Sequence, residues 1–190
     1  MKRILFPTDF SEAATNAFTY ANAFASAQGA VIDLIHIFHI PISDSGNVLP
    51  EYIEDLIEQG EKEALRELEN LTLPYKGSAT VGSKKAIYGL FTGIEIIDYA
   101  KKGNYDLLLM GTKGERSSLE KWMGSITTEV MMKAPCPVLA IPAKAAFDTI
   151  DNIAYATAFD PGDQPAVEQL LNTADQLHAQ LHFVHVNTNS

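Results

Sequence analysis

The strongest constraint on the fold is a set of short, almost wholly apolar segments that alternate with longer segments of helical character. The apolar segments lie at 4–6, 31–38, 105–110 and 138–141, and a weakly alternating one lies at 75–81. A strand that is apolar on both faces needs cover on both faces, as strands have in a parallel sheet between two layers of helices. We therefore predict an α/β fold: an open, doubly wound, five-stranded parallel sheet with helices on both faces.

The segments between the strands carry the usual signs of helices. Ser11 precedes an Ala-rich segment at 12–28, which Gly29 closes. Amphipathic patterns predict further helices over 51–71 and 88–102. The helix at 51–71 has a strongly acidic face, which we interpret as solvated in preference to a partner-binding surface.

Composition and charge narrow the classes of function. The 190-residue chain has a net charge of −10, and nucleic-acid surfaces need clustered Lys and Arg, so we expect no nucleic-acid partner. No apolar run approaches the roughly 18 residues that a membrane span needs, and the N-terminus lacks the apolar region of a signal peptide. We therefore expect a cytoplasmic protein with no membrane partner. The one cysteine, Cys136, lies in an apolar segment and is interpreted as a packed thiol rather than a reactive one.

The end of the chain repeats its beginning at a constant spacing. Ile4, Thr8 and Phe10 recur 149 positions later as Ile153, Thr157 and Phe159. We predict an internal duplication, with a complete domain at 1–142, a linker at 143–150, and a partial second copy of strand, helix and strand at 151–190. Because so small a sheet cannot cover both of its faces, we expect the second copy to pack on the first, to pair with another chain or to be poorly ordered.

A spaced set of glycines follows the fourth predicted strand. Gly111, Gly114, Gly124 and Ser125 form the pattern Gly-x2-Gly-x9-Gly-Ser, and a helix is predicted over 125–133. Glycine permits a positive φ and lets backbone N–H groups converge on an anion, which a helix N-terminus also favours. Open parallel sheets bind ligands beyond the carboxyl ends of their strands. The pattern thus predicts a phosphate site, with a glycine-rich turn before a helix as the alternative; it matches neither a Walker loop nor a dinucleotide fingerprint.

These glycines belong to a wider set of motifs. With the opening segment Ile4-Leu5-Phe6-Pro7-Thr8-Asp9-Phe10-Ser11, the strand end His36-Ile37 and the segment Pro135-Cys136-Pro137-Val138-Leu139, they resemble the universal stress protein family over residues 1–142. The repeat resembles the truncated second copy of a tandem member. The resemblance implies an adenine nucleotide alpha hydrolase-like fold and, since the glycine pattern is whole, the ATP-binding branch of the family.

The resemblance also implies which residues bind the nucleotide. Asp9, with its neighbours Pro7 and Thr8, would contact the adenosine part, the backbone of Ile37 would read the adenine edge, and Met110 would line the same pocket. The ribose and phosphate contacts implied are Gly111, Gly114, Gly124, Ser125 and Ile126. The counterpart of Asp9 in the repeat is Ala158, so one site per chain is expected.

Residue chemistry alone leaves some of these roles open. Asp9 suits a ligand acceptor, but an acid that caps the following helix is the alternative. The loop basic residues Lys113, Arg116 and Lys121 are opposed by two glutamates, so we expect Mg²⁺ to accompany ATP. His36 and His39 lack further ligands of a protein metal site and are interpreted as core or loop histidines.

Three functions remain at this point. The main prediction is an ATP-dependent regulatory or stress-response module, in which ATP orders the loops at 41–50 and 112–123. A slow ATPase or phosphotransferase, with Asp9 or Ser125 near the phosphates, is an alternative, although no catalytic residue can be named. The third is a dimerisation module without a ligand, paired through the strand at 138–141 as the family commonly pairs; a homodimer, or pairing of the two copies, is expected in any case.

Overall fold

The computed structural model describes residues 2–40, 50–75, 80–112 and 125–185. They form two compact units, Met1–Phe147 and Asp148–Ser190. Residues 143–147, predicted as linker, belong to the first unit, where the ring of Phe147 packs edge-on against Tyr20 and Phe24 at centroid distances of 5.2 and 5.7 Å. No helix within the described ranges has both the length and the apolar character that crossing a bilayer requires.

The first unit alternates strands and helices, as the sequence predicts. Its elements are β1 (Arg3–Pro7), α1 (Glu12–Gln28), β2 (Val31–Phe38), α2 (Pro50–Thr72), β3 (Thr80–Tyr88), α3 (Thr92–Gly103), β4 (Leu107–Gly111), α4 (Ser125–Lys133) and β5 (Val138–Ile141). Ser11 caps α1 by accepting a hydrogen bond from the backbone N–H of Ala14, and Gly29 ends that helix in the left-handed conformation. Both helix signals are confirmed.

The five strands form one parallel sheet in the order β3-β2-β1-β4-β5. The chain winds outward from β1 to β3, crosses back to β4 and then winds outward in the other direction. The order reverses between β1 and β4, where Ile4 pairs with Leu107 and Leu5 with Leu108. The predicted doubly wound fold is confirmed, and this reversal marks the edge of the sheet at which such folds bind ligands.

Alternate residues of each central strand are buried under different helices. Phe6 on β1 packs edge-on against Phe18 of α1, with ring centroids 5.2 Å apart. Leu5, its neighbour, belongs to a buried cluster on the opposite face, to which α3 and α4 contribute. The members of that cluster are Leu5, Ile35, Ile37, Ile96, Ile97, Ala100, Tyr105, Leu108, Met110 and Val130. Cys136 packs against it, and burial raises the pKa of the thiol, which keeps it protonated.

β3 and α3 begin later than predicted. β3 covers Thr80–Tyr88, whereas the sequence predicts a strand at 75–81, and α3 begins at Thr92 rather than at residue 88. β3 is an edge of the sheet and its residues are exposed or half-buried, so its sequence lacks the apolar run of the central strands. Tyr88 continues the strand because it pairs with Phe38 of β2.

A buried carboxylate interrupts the pairing of β2 with β3. The register shifts at Asp33, which is 4% exposed. Its Oδ1 accepts the backbone N–H of Ser83 at 2.6 Å, and its Oδ2 accepts from the Arg3 guanidinium at 2.6 Å and from the Tyr105 hydroxyl at 3.1 Å. Burial by itself raises the pKa of Asp33, but these donors outweigh it and hold the pKa below its ordinary value. The carboxylate thus substitutes for a backbone acceptor in the bulge.

The second unit is a small arrangement of strand, helix and strand. Its elements are β6 (Asn152–Ala156), α5 (Gln164–Leu177) and β7 (Gln180–Val184), and the two strands are parallel. Ile153 pairs with Leu181 in this unit, as Ile4 pairs with Ile32 in the first. The pairing register of the second unit therefore follows the spacing of the sequence repeat.

Candidate functional site

A cleft of about 510 Å³ opens at the carboxyl ends of β1, β2 and β4, where the strand order reverses. Its volume is within the range of small-molecule sites. The starts of α1, α3 and α4 complete its walls. Its described lining consists of Pro7, Thr8, Asp9, Ser11, Ala13, Ala14, His36, Ile37, Phe38, His39, Thr92, Ile96, Met110, Gly111, Thr112, Ser125, Ile126 and Thr127.

The cleft brings together the described members of the predicted site. These are Pro7, Thr8, Asp9, Ile37, Met110, Gly111, Ser125 and Ile126. Gly114 and Gly124 lie outside the described residues, as do the three loop cations and the loops at 41–49 and 113–124. Residues that are far apart in the sequence thus share one cavity, while the central part of the glycine pattern stays a prediction.

β2 extends beyond β1 and leaves part of its backbone edge facing the cleft. The pairing of the two strands ends at Pro7 opposite Ile35, and the Thr8 N–H donates to the Ile35 carbonyl at 3.0 Å. Alternate residues of a strand turn their backbone groups to the same side, so the N–H and the carbonyl of Ile37 also point this way. In the described part of the chain no strand pairs with this side of Ile37. A donor and an acceptor therefore stand side by side in the cleft wall.

The turn after β1 holds the Asp9 carboxylate at the start of α1. The Asp9 Oδ1 accepts the backbone N–H of Ser11 at 3.0 Å, and the Thr8 hydroxyl accepts that of Phe10 at 3.1 Å. Phe10 has a φ of 60°, in the left-handed region. Asp9 thus makes the local helix-start contact that the sequence offered as one alternative, and its exposed carboxylate also lines the cleft.

His36 fixes this turn from the neighbouring strand. Its Nδ1 lies 2.7 Å from the carbonyl oxygen of Thr8, and its ring lies 4.4 Å from that of Phe10. Because a carbonyl oxygen only accepts, Nδ1 carries the proton and donates. The second unit repeats the arrangement with His185 Nδ1 donating to the Thr157 carbonyl at 2.8 Å.

The structure corrects the reason given for Gly111. Sequence reasoning explained this glycine by the positive φ that glycine permits, but among the described glycines only Gly29 has one. Gly111 ends β4, and a β-carbon there would lie 2.9 Å from the carbonyl oxygen of Ala13 and 3.2 Å from the Ala17 β-carbon. A glycine is therefore needed because α1 crosses β4 closely. Its carbonyl accepts from the Thr127 hydroxyl at 3.4 Å.

The electrostatics of the cleft depend on helix ends. Of the described lining residues, Asp9 is the one carboxylate, and none is Lys or Arg. Three helices begin at the cleft: α1 after Ser11, α3 at Thr92 and α4 at Ser125. The free N–H groups of a first turn carry partial positive charge, so the walls attract an anion. No group of three His, Cys, Asp or Glu among the described residues is arranged to hold a metal ion.

Two residues of the cleft wall, His39 and Thr92, are missing from the sequence prediction. The His39 Nδ1 bonds the carbonyl oxygen of Gly89, and its Nε2 lies 3.1 Å from the Thr92 hydroxyl oxygen. The signal available in the sequence is a histidine one residue past a strand and a threonine at a helix start. Both are common in loops, and sequence reasoning ended β3 too early to bring them together.

Known proteins are similar to this chain in sequence and in architecture. Residues 1–142 match the Universal stress protein family. Universal stress protein MJ0577 of Methanocaldococcus jannaschii is 31% identical over 160 residues, which is 75% of this chain and 96% of that protein. The solved structure of MJ0577 has a TM-score of 0.61 at 27% identity, over 76% of this chain and 98% of its own.

Two more distant structures share the fold alone. A universal stress protein from Archaeoglobus fulgidus, 21% identical with a TM-score of 0.70, covers 98% of this chain and 68% of its own. A universal stress protein family protein from Arabidopsis thaliana with AMP bound is 18% identical with a TM-score of 0.50, over 76% of this chain and 93% of its own. Since the family match spans the whole five-stranded unit, the chain belongs to the universal stress protein family.

Proposed function

We propose that this chain binds ATP in the cleft and serves as a nucleotide-dependent regulatory or stress-response module. The observation that carries the proposal is the meeting of three helix N-termini in a cleft whose described lining contains no Lys or Arg. A polyanion is the ligand that such walls attract. The Arabidopsis thaliana protein of the same fold has AMP bound, and this supports a nucleotide as the ligand.

The β2 side of the cleft suits an adenine base. Adenine presents an acceptor, N1, beside a donor, its 6-amino group. The N–H and carbonyl of Ile37, which pair with no described strand on this side, are complementary to that edge. The side chains of Ile37, Ile96 and Met110 are each 7% exposed or less and line the cleft, so they offer apolar contact to the faces of the base.

The β4 side suits the phosphates. β2 and β4 flank β1, so about 10 Å separate the two ends of the cleft, the span of two strand spacings. The phosphates would bind the first-turn N–H groups of α4 and the hydroxyl of Ser125, and Asp9 would accept from the ribose hydroxyls. Mg²⁺ commonly binds through substrate phosphates and one or two carboxylates. Asp9, the one described carboxylate of the lining, would be the protein ligand of that Mg²⁺.

A charge placed at the start of α4 tests the phosphate end. Ile126→Glu adds an acid to the first turn of the helix, where it favours the helix itself but repels a polyphosphate. Met132→Glu adds the same charge at the far end of α4, where the side chain is 80% exposed and outside the cleft lining. By isothermal titration calorimetry, we expect Ile126→Glu to weaken ATP binding about tenfold and Met132→Glu to leave it unchanged. Equal ATP affinity in the two variants would contradict the proposal.

The fate of the bound nucleotide separates regulation from catalysis. We expect the purified protein to release intact ATP on denaturation. ADP that accumulates during incubation with ATP, above the level in Ile126→Glu, would instead support a slow ATPase or phosphotransferase. If the protein binds no nucleotide at millimolar ATP, the remaining function is a dimerisation module without a ligand.

We also propose that residues 151–190 begin a second domain of the same fold. The shared pairing register supports this, as does the A. fulgidus structure, which aligns over 98% of this chain. Ala158 stands where Asp9 stands in the first unit, so we propose one ATP site per chain. Calorimetry tests it directly: a stoichiometry near two would contradict it.

A homodimer paired through β5 is our proposal for the assembly. β5 is an edge of the sheet, and in the described part of the chain its outer side has no strand partner. Val138, Leu139 and Ala140 are half-buried within the chain itself. Sedimentation that shows a monomer at micromolar concentrations would contradict this assembly.

A further inference from the structure

We infer that Thr92, oriented by His39, determines specificity for the base by accepting a hydrogen bond from a purine 6-amino group. The inference rests on the proposed function, because it concerns a nucleotide in the same cleft. Beside the backbone groups of Ile37, Thr92 would make a second contact with the base, one that selects an amino group over an oxo group or a hydrogen.

The hydrogen bonds of His39 fix the polarity of the Thr92 hydroxyl. The Gly89 carbonyl only accepts, so the His39 Nδ1 carries the proton. In the neutral imidazole the Nε2 is then an acceptor, and the Thr92 hydroxyl 3.1 Å away must donate to it. With its hydrogen engaged, the Thr92 oxygen offers only lone pairs to the cleft. It therefore attracts an N–H donor and repels a carbonyl oxygen.

The position of His39 is itself fixed by the backbone. Gly89, which accepts from His39, donates its own N–H to the carbonyl oxygen of Phe38 at 3.2 Å. Two hydrogen bonds to Gly89, one with the Phe38 carbonyl and one with the His39 ring, thus join the end of β2 to the turn before α3. The hydroxyl is oriented before any ligand arrives, so little entropy is lost when it bonds one.

Thr92 lies at the end of the cleft that suits the base. It stands one helical turn before Ile96, and the Ile96 side chain packs in the same buried cluster as Ile37. Both Thr92 and Ile37 line the cleft. A 6-amino group has two hydrogens, and the carbonyl of Ile37 uses one of them. The Thr92 oxygen is the neighbouring acceptor for the other.

The test pairs variants of the residue with variants of the ligand. Thr92→Val keeps the shape but removes the acceptor, and purine riboside triphosphate has a hydrogen where ATP has its amino group. We expect Thr92→Val to weaken ATP binding about three- to tenfold and to leave the binding of purine riboside triphosphate unchanged. Thr92→Ser should keep the preference of the parent for ATP. His39→Phe, which frees the hydroxyl to rotate, should reduce that preference.

The outcomes separate the inference from the proposed function. If the parent protein binds neither triphosphate, the proposed function fails and the inference with it. If the parent binds both with equal affinity, or if Thr92→Val weakens both equally or neither, the role of Thr92 is overturned while nucleotide binding stands. Unfolding midpoints of the variants show whether α3 remains intact in each case.

Discussion

A β-carbon on Gly111 would lie 2.9 Å from the carbonyl oxygen of Ala13, which is closer than carbon and oxygen tolerate. The lack of a β-carbon at Gly111 therefore allows α1 to pack closely on β4. We expect Gly111→Ala to lower the free energy of unfolding by about 1–3 kcal/mol, because backbone rather than a flexible side chain has to move. Urea denaturation measures it. Gly162→Ala, where the one atom within reach is a side-chain oxygen of Asp160 at 3.1 Å, is the control and should cost less than Gly111→Ala.

The hydrogen bond from the His36 ring to the Thr8 carbonyl gives a second prediction, with an internal control. His36→Phe keeps a ring against Phe10 but removes the donor to the Thr8 carbonyl. We expect it to destabilise the first unit by about 1 kcal/mol and to weaken ATP binding, because the turn that carries Asp9 is loosened. His185→Phe makes the same change in the second unit and should leave ATP binding as it is. Weaker binding in both variants would mean that the histidine acts through something other than this turn.

A comparison of two substitutions at Asp9 distinguishes its role in ATP binding from its role as a hydrogen-bond acceptor at the start of α1. Asp9→Asn retains an oxygen for the Ser11 N–H but loses the charge, whereas Asp9→Ala loses both. We expect both variants to bind ATP at least tenfold more weakly, since hydrogen bonds to charged groups are the strong ones, and Asp9→Ala alone to lose stability. Thermal unfolding and calorimetry measure the two effects. Full ATP affinity in Asp9→Asn would reduce the residue to a helix-start acceptor.

Asp33 predicts a dependence of stability on pH. Its pKa is lowered in the folded protein, so the folded state binds this proton less readily than the unfolded chain does. The carboxylate therefore stabilises the fold at pH values above its unfolded pKa of about 3.9, and this contribution is lost as the pH falls below that value. We expect Asp33→Asn to lower the free energy of unfolding at pH 7 by about 1–3 kcal/mol. The free energy of unfolding of this variant should then fall less steeply between about pH 5 and 3 than that of the parent protein.

The control for this measurement is a second carboxylate. The backbone N–H groups of Lys2 and Arg3 lower the pKa of Asp106, so Asp33→Asn should retain part of the acid dependence. Denaturant titrations at a series of pH values give the comparison. Identical slopes for parent and Asp33→Asn would show that Asp33 does not have the lowered pKa that its contacts with Ser83 and Arg3 imply.

The central strands and the edge strand β5 were predictable, whereas the other edge strand, β3, was not, for a physical reason. β1, β2 and β4 are buried on both faces, so their sequences are forced to be apolar, and the order of helices and strands then follows. β3 faces solvent at the sheet edge, and Lys84 and Lys85 in it give no strand signal. The late end of β3 in turn determines where Gly89 and Thr92 lie.

The site shows the same division. The family resemblance named Asp9, Ile37 and Met110, the spacing motif named Gly111 and Ser125, and all five line the cleft. The spacing motif misassigned the reason for Gly111, because contact with Ala13 requires two elements to be packed together before it exists. His39 was interpreted only as a core or loop histidine and Thr92 was not named, for a similar cause: each is ordinary by itself, and only their 3.1 Å approach gives the hydroxyl a defined direction.

During synthesis, β1, α1 and β2 leave the ribosome well before β4, although Ile4 and Leu5 have Leu107 and Leu108 as sheet neighbours. Contacts between such distant residues form late, because closing the intervening loop opposes them. Until β4 docks, the cleft lacks the wall that β4 and α4 form, and α4 has no sheet to pack against. Under the proposed function, a chain in which β4 has not docked would bind no nucleotide, so ATP would stabilise only those molecules that have completed their sheet.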